Sequence, residues 1–188
     1  MSGQVLVIRG ATSALGQAAL DIATHAGVVV VASTRRRERA SMLQARGADV
    51  VIATPDLSCD VRRRHPTGVD AVLDLVRNST ILDSLGMLRR GGRACLAGFL
   101  GGLAPLPAFN PLLQMPSGVH WSFFGSFMFG TAEFPLSDVP FQTIVDRVAA
   151  GTYRAKPARV FEFDEIRDAH RLMESNQANG KLVVRGVE

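Results

Sequence analysis

Gln4–Arg9 (QVLVIR) is a short β-branched run that passes directly into Gly10-Ala11-Thr12-Ser13-Ala14-Leu15-Gly16, and this junction holds the chain's clearest capacity for chemistry. A strand, a glycine-containing turn and a helix start, in that order, leave the amides of the first helical turn without intrahelical partners, so they attract an anion. The pyrophosphate of a dinucleotide is the expected occupant. Setting Gly16 as the last glycine of a G-x-G-x-x-G fingerprint puts Ala11 and Ser13 at its first two positions, where small side chains still permit close backbone approach. The alternative is that Gly10 and Gly16 serve a tight strand-to-helix turn and nothing more.

Roughly twenty residues further on, an NAD-binding fold places an acid against the adenosine ribose. Here the sequence reads Ser33-Thr34-Arg35-Arg36-Arg37, without a carboxylate. A carboxylate would repel the 2′-phosphate of NADP, whereas a small hydroxyl leaves room for it and a guanidinium forms charge-assisted, often bidentate bonds to it. NADP(H) is the expected cofactor. The competing view, a solvated basic first turn of a helix, runs against the helix dipole.

Other combinations offer less. Tyr153 and Lys156 suggest the Tyr/Lys pair of short-chain reductases, but they stand three apart rather than four, and Pro157 follows at once. His25, His65, His120 and His170 are scattered, and Gly10-x-x-Ser13 lacks the G-x-S-x-G spacing of a nucleophile elbow. Neither Cys59 nor Cys95 stands in a zinc-binding spacing. No catalytic residue and no metal ligand is assigned, and both thiols are expected to be reduced.

The loop and the basic run need a scaffold, and the alternation of patterns along the chain supplies one. From Ala14 to Ala26 the apolar residues Leu15, Ala18, Ala19, Ile22 and Ala26 recur at helical spacing, with Gly27 as the C-terminal cap. Val28–Ser33 is an unbroken apolar run, the mark of a strand covered on both faces of a parallel sheet. A charged helix then ends before Gly47, followed by a strand at Val50–Ala53 and a polar loop through Leu57–Thr67. The alternation repeats with a strand at Val69–Leu75, a helix at Ser79–Leu88 and a strand at Gly92–Gly98. Gly101–Met115 is rich in Gly, Pro and Leu, and Gly118–Phe134 is rich in aromatics, which suits a lid or an interface. Pro140–Ala150 reads as a helix, Arg159–Phe163 as a strand, Asp164–Ser175 as a helix capped by Asp164, and Gly180–Arg185 as a last strand. Such alternation specifies right-handed crossovers, hence an α/β, doubly wound parallel sheet of the Rossmann type, with six strands and helices on both faces.

Composition agrees. The 188 residues fall within the one-domain range, and 47% hydrophobic with 20% charged residues excludes disordered and collagen-like chains. The longest apolar stretches, Val28–Ala32 and Ala94–Leu100, are far shorter than the roughly twenty residues of a membrane span. The start, Met1-Ser2-Gly3-Gln4, lacks a secretory pattern, so a cytoplasmic protein without membrane contact is expected. The net charge of +4 is almost wholly arginine, since only Lys156 and Lys181 are lysines. The runs Arg35-Arg36-Arg37 and Arg62-Arg63-Arg64 lack the aromatic interleaving of a nucleic-acid surface, and no nucleic-acid partner is expected.

Taken together, VLVIRGATSALGQAALDIA, STRRRERASMLQARGAD, VDAVLDLV, GGRACLAG and the tail KPARVFEFDEIRDAHRLMESNQANGKLVV resemble the cofactor-binding half of medium-chain dehydrogenases/reductases, in the zinc-free quinone-oxidoreductase-like branch. The resemblance covers nearly the whole chain, and the tail is its most specific part. It implies that Ser13, Ala14 and Leu15 face the pyrophosphate, within a loop completed by Gly10, Thr12 and Gly16. Thr34 and Arg35, with Arg36 beside them, would face the adenosine end, and Leu75 and Val76 would flank the adenosine and its ribose. Gly98 and Phe99, with Ser122 and Phe124, would line the nicotinamide.

The resemblance also implies an NAD(P)-binding domain over 1–150 and a strand-helix-strand tail over 151–188 that, in the family, returns to a substrate domain. That domain is expected to be absent here, so the tail's apolar face calls for a second copy, as in a homodimer, or for another partner. The expected function is the NADP(H)-binding part of an oxidoreductase transferring hydride to a quinone, enone or enoyl-type substrate, weak or inactive without its substrate domain. The alternatives are a non-catalytic NADPH-sensing or partner-docking module and a short-chain reductase.

Overall fold

Val7 and Ile8 are neighbours in β1 (Val5–Arg9) and both are fully buried, which puts an apolar layer on each face of the strand. The computed structural model describes residues 2–76 and 78–186. Around β1 stand β2 (Val29–Thr34), β3 (Asp49–Ile52), β4 (Val69–Asp74), β5 (Leu88–Leu96) and β6 (His120–Phe123), all parallel, in the order β3-β2-β1-β4-β5-β6. Helices α1 (Ala14–His25) and α2 (Ala40–Gln44) cover one face, where Leu20, Ala23 and Leu43 pack with Ile8, Val30 and Ala32. Helices α3 (Leu57–Arg64) and α4 (Asn78–Gly86) cover the other, where Leu57, Val61, Ile81 and Leu85 pack with Val7, Val31 and Val72. This is the doubly wound Rossmann arrangement. Its strand order reverses between β1 and β4, where such sheets open a crevice at the C-terminal strand ends.

Helix α1 stops as its sequence indicates. Gly27 takes φ +73° and donates to the Thr24 carbonyl, while the Val28 amide donates to Ala23, a Schellman closure that any residue with a Cβ would strain.

Several expectations change. Helix α1 packs on a different face from the one its apolar spacing indicates: Leu15, Ala18, Ile22 and Ala26 are exposed, and Gly16, Gln17, Leu20, Asp21 and Ala23 are buried, because Leu20 and Ala23 meet the sheet and the polar Gln17 and Asp21 find hydrogen-bond partners there. The segment expected to be a polar loop folds as α3, because Leu57 and Val61 stand one helical turn apart and both are fully buried. At about 1.5–3 kcal/mol for each such burial, two apolar residues outweigh a polar composition. Next, α4 ends at Gly86 and β5 begins at Leu88 rather than Gly92, then ends at Leu96 short of Gly98. Leu88 pairs with Val69, and a register shift absorbs the glycine pair inside the strand. A Cβ on Gly92 would sit 2.8 Å from the Arg89 carbonyl oxygen, so this irregularity needs glycine. Finally, Asp164 is not the cap of the last helix. Glu162 caps the 3₁₀ turn Phe163–Glu165 that leads into it: its carboxylate accepts the Glu165 amide, and the Glu165 carboxylate accepts the Glu162 amide at 2.8 Å.

Beyond β6 lie α5 (Pro111–Gln114), α6 (Phe141–Ala149), β7 (Arg159–Phe161), α7 (Ile166–Glu174) and β8 (Leu182–Val184). Strands β7 and β8 pair in parallel as a separate small sheet. No helix among the described residues is long and apolar enough to cross a membrane.

Candidate functional site

The chain leaves β1 through Gly10, whose φ of +84° makes the turn and whose carbonyl accepts the Ser13 amide at 3.1 Å. Ser13 then caps α1: its hydroxyl accepts the Gly16 amide at 3.0 Å, and its carbonyl accepts the Gln17 amide at 2.9 Å. That leaves the amides of Ala14 and Leu15 without a protein acceptor among the described residues, at the positive end of the helix dipole. A Cβ on Gly16 would lie 2.6 Å from the Gly10 carbonyl oxygen and 2.7 Å from Ala11 Cα, so only glycine lets the helix start this close to the strand. Ala11 is fully buried, and the Thr12 carbonyl accepts Gln17 Nε2 at 3.0 Å.

Thr34 ends β2 with its side chain buried, and its hydroxyl accepts the Arg36 amide at 3.1 Å. This short turn leaves Arg35, Arg36 and Arg37 exposed, and none of them pairs with a carboxylate among the described residues. Arg39 donates to the Asn176 carbonyl. Burial, with the positive charge of Arg36 beside it, pulls the Arg39 guanidinium below its ordinary pKa, outweighing the pull of Glu38. The cluster is short of negative charge.

Arg9, Asp74, Leu96 and Phe123 stand side by side in the register, so the loops after β1, β4, β5 and β6 open along one edge. The ladder continues past the strand ends: the Leu75 amide donates to Arg9 at 3.0 Å, Ala97 to Asp74 at 2.9 Å and Phe124 to Leu96 at 3.0 Å. Gly10, Thr34, Leu75, Val76, Gly98, Phe99 and Phe124 all lie at this edge, and Ser122 lies just inside β6. Their side chains are not equivalent. Leu75 is fully buried in the core, so it offers the edge only its backbone, while Val76 is half-buried and Phe99 exposed. A Cβ on Gly98 would meet the Leu75 carbonyl oxygen at 2.6 Å, so glycine allows these two loops to touch. The Ser122 hydroxyl donates to the Ala94 carbonyl at 3.3 Å, and Phe124 stacks edge-on with Phe129 and Phe134 at 5.3 and 5.9 Å.

Two polar groups behind this edge were not picked out from the sequence. Asp74, fully buried, accepts the Val76 amide at 2.9 Å, the Thr80 hydroxyl at 3.0 Å and the Ser84 hydroxyl at 2.7 Å. Arg9 donates through Nη1 to Asp83 at 2.5 Å, to the Ser84 hydroxyl at 3.1 Å and to the Thr80 carbonyl at 3.2 Å. The signal available in the sequence was a charged residue closing each of two apolar strands. Gln17 and Asp21 likewise sit one turn apart on the buried side of α1, and Asp21 accepts Arg46 Nη1 at 3.1 Å and the Arg154 amide at 3.1 Å.

Tyr153 and Lys156 lie outside any helix, and the Tyr153 hydroxyl accepts Arg147 Nη1 at 2.6 Å. A cleft of about 330 Å³ beside the basic run is lined by Arg37, Thr54, Asp60, Arg63 and Arg64 with Val51 and Ile52. A larger one, about 480 Å³, opens by the strand starts among Gln4, Val5, Asp70 and Arg89, at the end opposite the loops just described.

The family model described as zinc-binding dehydrogenase matches residues 46–184. The chain is 25% identical over 189 residues to quinone oxidoreductase-like protein 2 of Rattus norvegicus, covering 97% of this chain and 53% of that protein. It is 27% identical over 192 residues to the 2-haloacrylate reductase of Burkholderia sp., covering 97% and 55%. The chain thus spans about half the length of the curated relatives it matches. Among solved structures, a 2-haloacrylate reductase superposes with a TM-score of 0.84 at 23% identity, over 100% of this chain and 59% of that one. A mycobacterial protein complexed with NADPH superposes with a TM-score of 0.82 at 24% identity, over 98% and 57%. Zinc, which the family's description names, finds no donor set here: no group of three or more His, Cys, Asp or Glu side chains among the described residues is placed to hold a metal ion. With the sheet order and the family match over most of its length, the chain belongs to the zinc-binding dehydrogenase family, as a cofactor-binding domain of the medium-chain dehydrogenase/reductase type.

Proposed function

We propose that this chain binds NADP(H) and forms the cofactor-binding part of an oxidoreductase that transfers hydride to a quinone, enone or enoyl-type substrate. One observation carries the reading. Two amides at the start of α1 without a protein acceptor among the described residues, and arginines 35–37 after β2 without a carboxylate partner among them, stand at the ends of adjacent parallel strands. The Ala14 and Leu15 amides suit a pyrophosphate, and Arg35 and Arg36 suit a further phosphate on the adenosine ribose. The names of the relatives and neighbours, reductases of quinones, haloacrylates and enoyl groups, support the same class of reaction.

The bound dinucleotide would supply a hydride from its nicotinamide ring. The chain's own part is to hold and orient. The small residues Ser13 and Ala14 and the glycines 10 and 16 let the backbone meet the diphosphate, with Thr12 and Leu15 completing the loop. Thr34 presents no carboxylate to the ribose, and the Leu75 backbone with Val76 borders the adenosine. Gly98 leaves room at the nicotinamide end, where Phe99, Ser122 and Phe124 would shield the ring from water.

We read residues 1–150 as the nucleotide-binding part and 151–188 as a strand-helix-strand tail that would return to a substrate domain. The exposed apolar residues by β6, among them Leu112, Leu113, Phe123 and Phe127, suit coverage by a second copy in a homodimer. The two free cysteines suit a cytoplasmic location.

Titration with NADPH and NADH, followed by fluorescence or calorimetry, tests the reading. NADPH should bind the wild type more tightly. Each of Arg35→Ala and Arg36→Ala should cost about tenfold in NADPH affinity, about 1.4 kcal/mol, with NADH affinity unchanged. Equal affinity for both nucleotides in the wild type would remove the arginine run from the reading, and failure to bind either would remove the reading itself.

A further inference from the structure

Gln17 is 8% exposed, and its Nε2 donates to the Thr12 carbonyl at 3.0 Å and to the Asn179 carbonyl at 3.2 Å. Both partners can only accept, so the orientation of the carboxamide is determined and its two N–H groups are divided between the glycine loop and the C-terminal segment. We propose that Gln17 is a positioning residue that ties the shape of the glycine loop to the docking of the turn at residues 176–180, so that nucleotide binding and docking of that turn reinforce each other. The inference rests on the proposed nucleotide site and deepens it.

Asn176 and Asn179 both take left-handed backbone, with φ of 57° and 54°, which asparagine adopts more readily than other residues with a Cβ. The carbonyls of these two residues are the ones gripped from outside, Asn179 by Gln17 and Asn176 by the Arg39 guanidinium. One grip comes from behind the glycine loop and the other from just after the arginine run, so the turn is fastened to both segments that would hold phosphates. An anion on the Ala14 and Leu15 amides orders the loop that carries the Thr12 carbonyl. Coupling of this kind is reciprocal: the factor by which bound nucleotide favours the docked turn is the factor by which the docked turn favours the nucleotide.

Hydrogen exchange of the full chain with and without saturating NADPH, together with NADPH titration, tests the tie. In the wild type, NADPH should slow exchange of the amides at residues 176–182 about tenfold. Gln17→Met keeps the side-chain length and removes both donors. It should raise the Kd for NADPH about tenfold and abolish the slowing even at saturation, a decoupling that a loss of stability alone would not produce. Asn179→Val strains the turn from the far side without touching the loop and should raise the same Kd several-fold; it also serves if Gln17→Met fails to fold. NADPH binding that leaves the turn's exchange unchanged in the wild type, or variants that keep wild-type affinity and slowing, would overturn the tie alone. A wild type that binds neither NADPH nor NADH would overturn the functional reading, and the tie with it.

Discussion

Replacing Arg9 with methionine removes the guanidinium donors from the buried network beneath the Asp74–Val76 turn while keeping much of the side-chain volume. Arg9 is 5% exposed, and its Nη1 is shared among Asp83, the Ser84 hydroxyl and the Thr80 carbonyl. Breaking a buried ion pair by removing one member costs about 3–5 kcal/mol. Asp83 keeps the Ser58 amide at 3.0 Å as a partner and its side chain is 18% exposed, so the loss belongs at the low end, about 3 kcal/mol. For a chain of this length, about 2–4 °C per kcal/mol gives a fall in Tm of about 6–12 °C. Thermal and urea unfolding of the wild type, Arg9→Met, Asp83→Asn and the double variant would measure it. Asp83→Asn can keep the Ser58 bond through its carbonyl oxygen, so it should cost less than Arg9→Met, and the cycle should return a coupling above about 1 kcal/mol. A loss below about 1 kcal/mol for Arg9→Met, or strictly additive single variants, would refute the claim that this pair anchors the turn.

The Asp70 carboxyl is held below its ordinary pKa, first by the Val5 amide at 2.7 Å and then by Arg89 at 2.7 Å. A depressed folded-state pKa gives stability that is complete above the unfolded value, near 3.9, and fades as pH falls through the folded one. Asp70→Asn should therefore be less stable than wild type at about pH 6, with the gap narrowing below about pH 4 in urea titrations; a gap of equal size at about pH 2 would count against this. Leu112 is 92% exposed and Phe127 73% exposed, so Leu112→Glu and Phe127→Glu should shift the protein toward monomer in light scattering. A wild type that is monomeric at every concentration would sink the proposed self-association.

Much of the fold was legible because the sheet is covered on both faces. A strand buried on two sides must be apolar, as Val30, Val31 and Ala32 are, and can be read locally. The packing face of α1 could not: Leu15, Ala18, Ile22 and Ala26 are exposed, while Gly16, Gln17, Leu20, Asp21 and Ala23 are buried, the polar pair among them being satisfied by partners from distant segments. Helix α3 was hidden for the opposite reason: its sequence, LSCDVRRR, carries two buried residues in a polar background, and only the cavity they fill shows that two are enough. Strand β5 was misjudged at its start because a glycine pair reads locally as a break, whereas its neighbour β4 tolerates the pair as a shift in register.

The sequence alone determined the local geometry of the candidate site: Gly10 for the turn, Ser13 for the cap, Gly16 for the close start of the helix and an arginine run free of acids after the second strand. These are properties of contiguous residues, set by φ, by capping and by charge. Tertiary structure decided what stands behind them. It turned the Leu75 side chain into the core, brought Arg9 to Asp83, and set Gln17 against Asn179 across 162 positions. Such contacts form between segments whose separation in the chain leaves no local trace, because a buried polar side chain is matched to whichever partner the fold delivers to it.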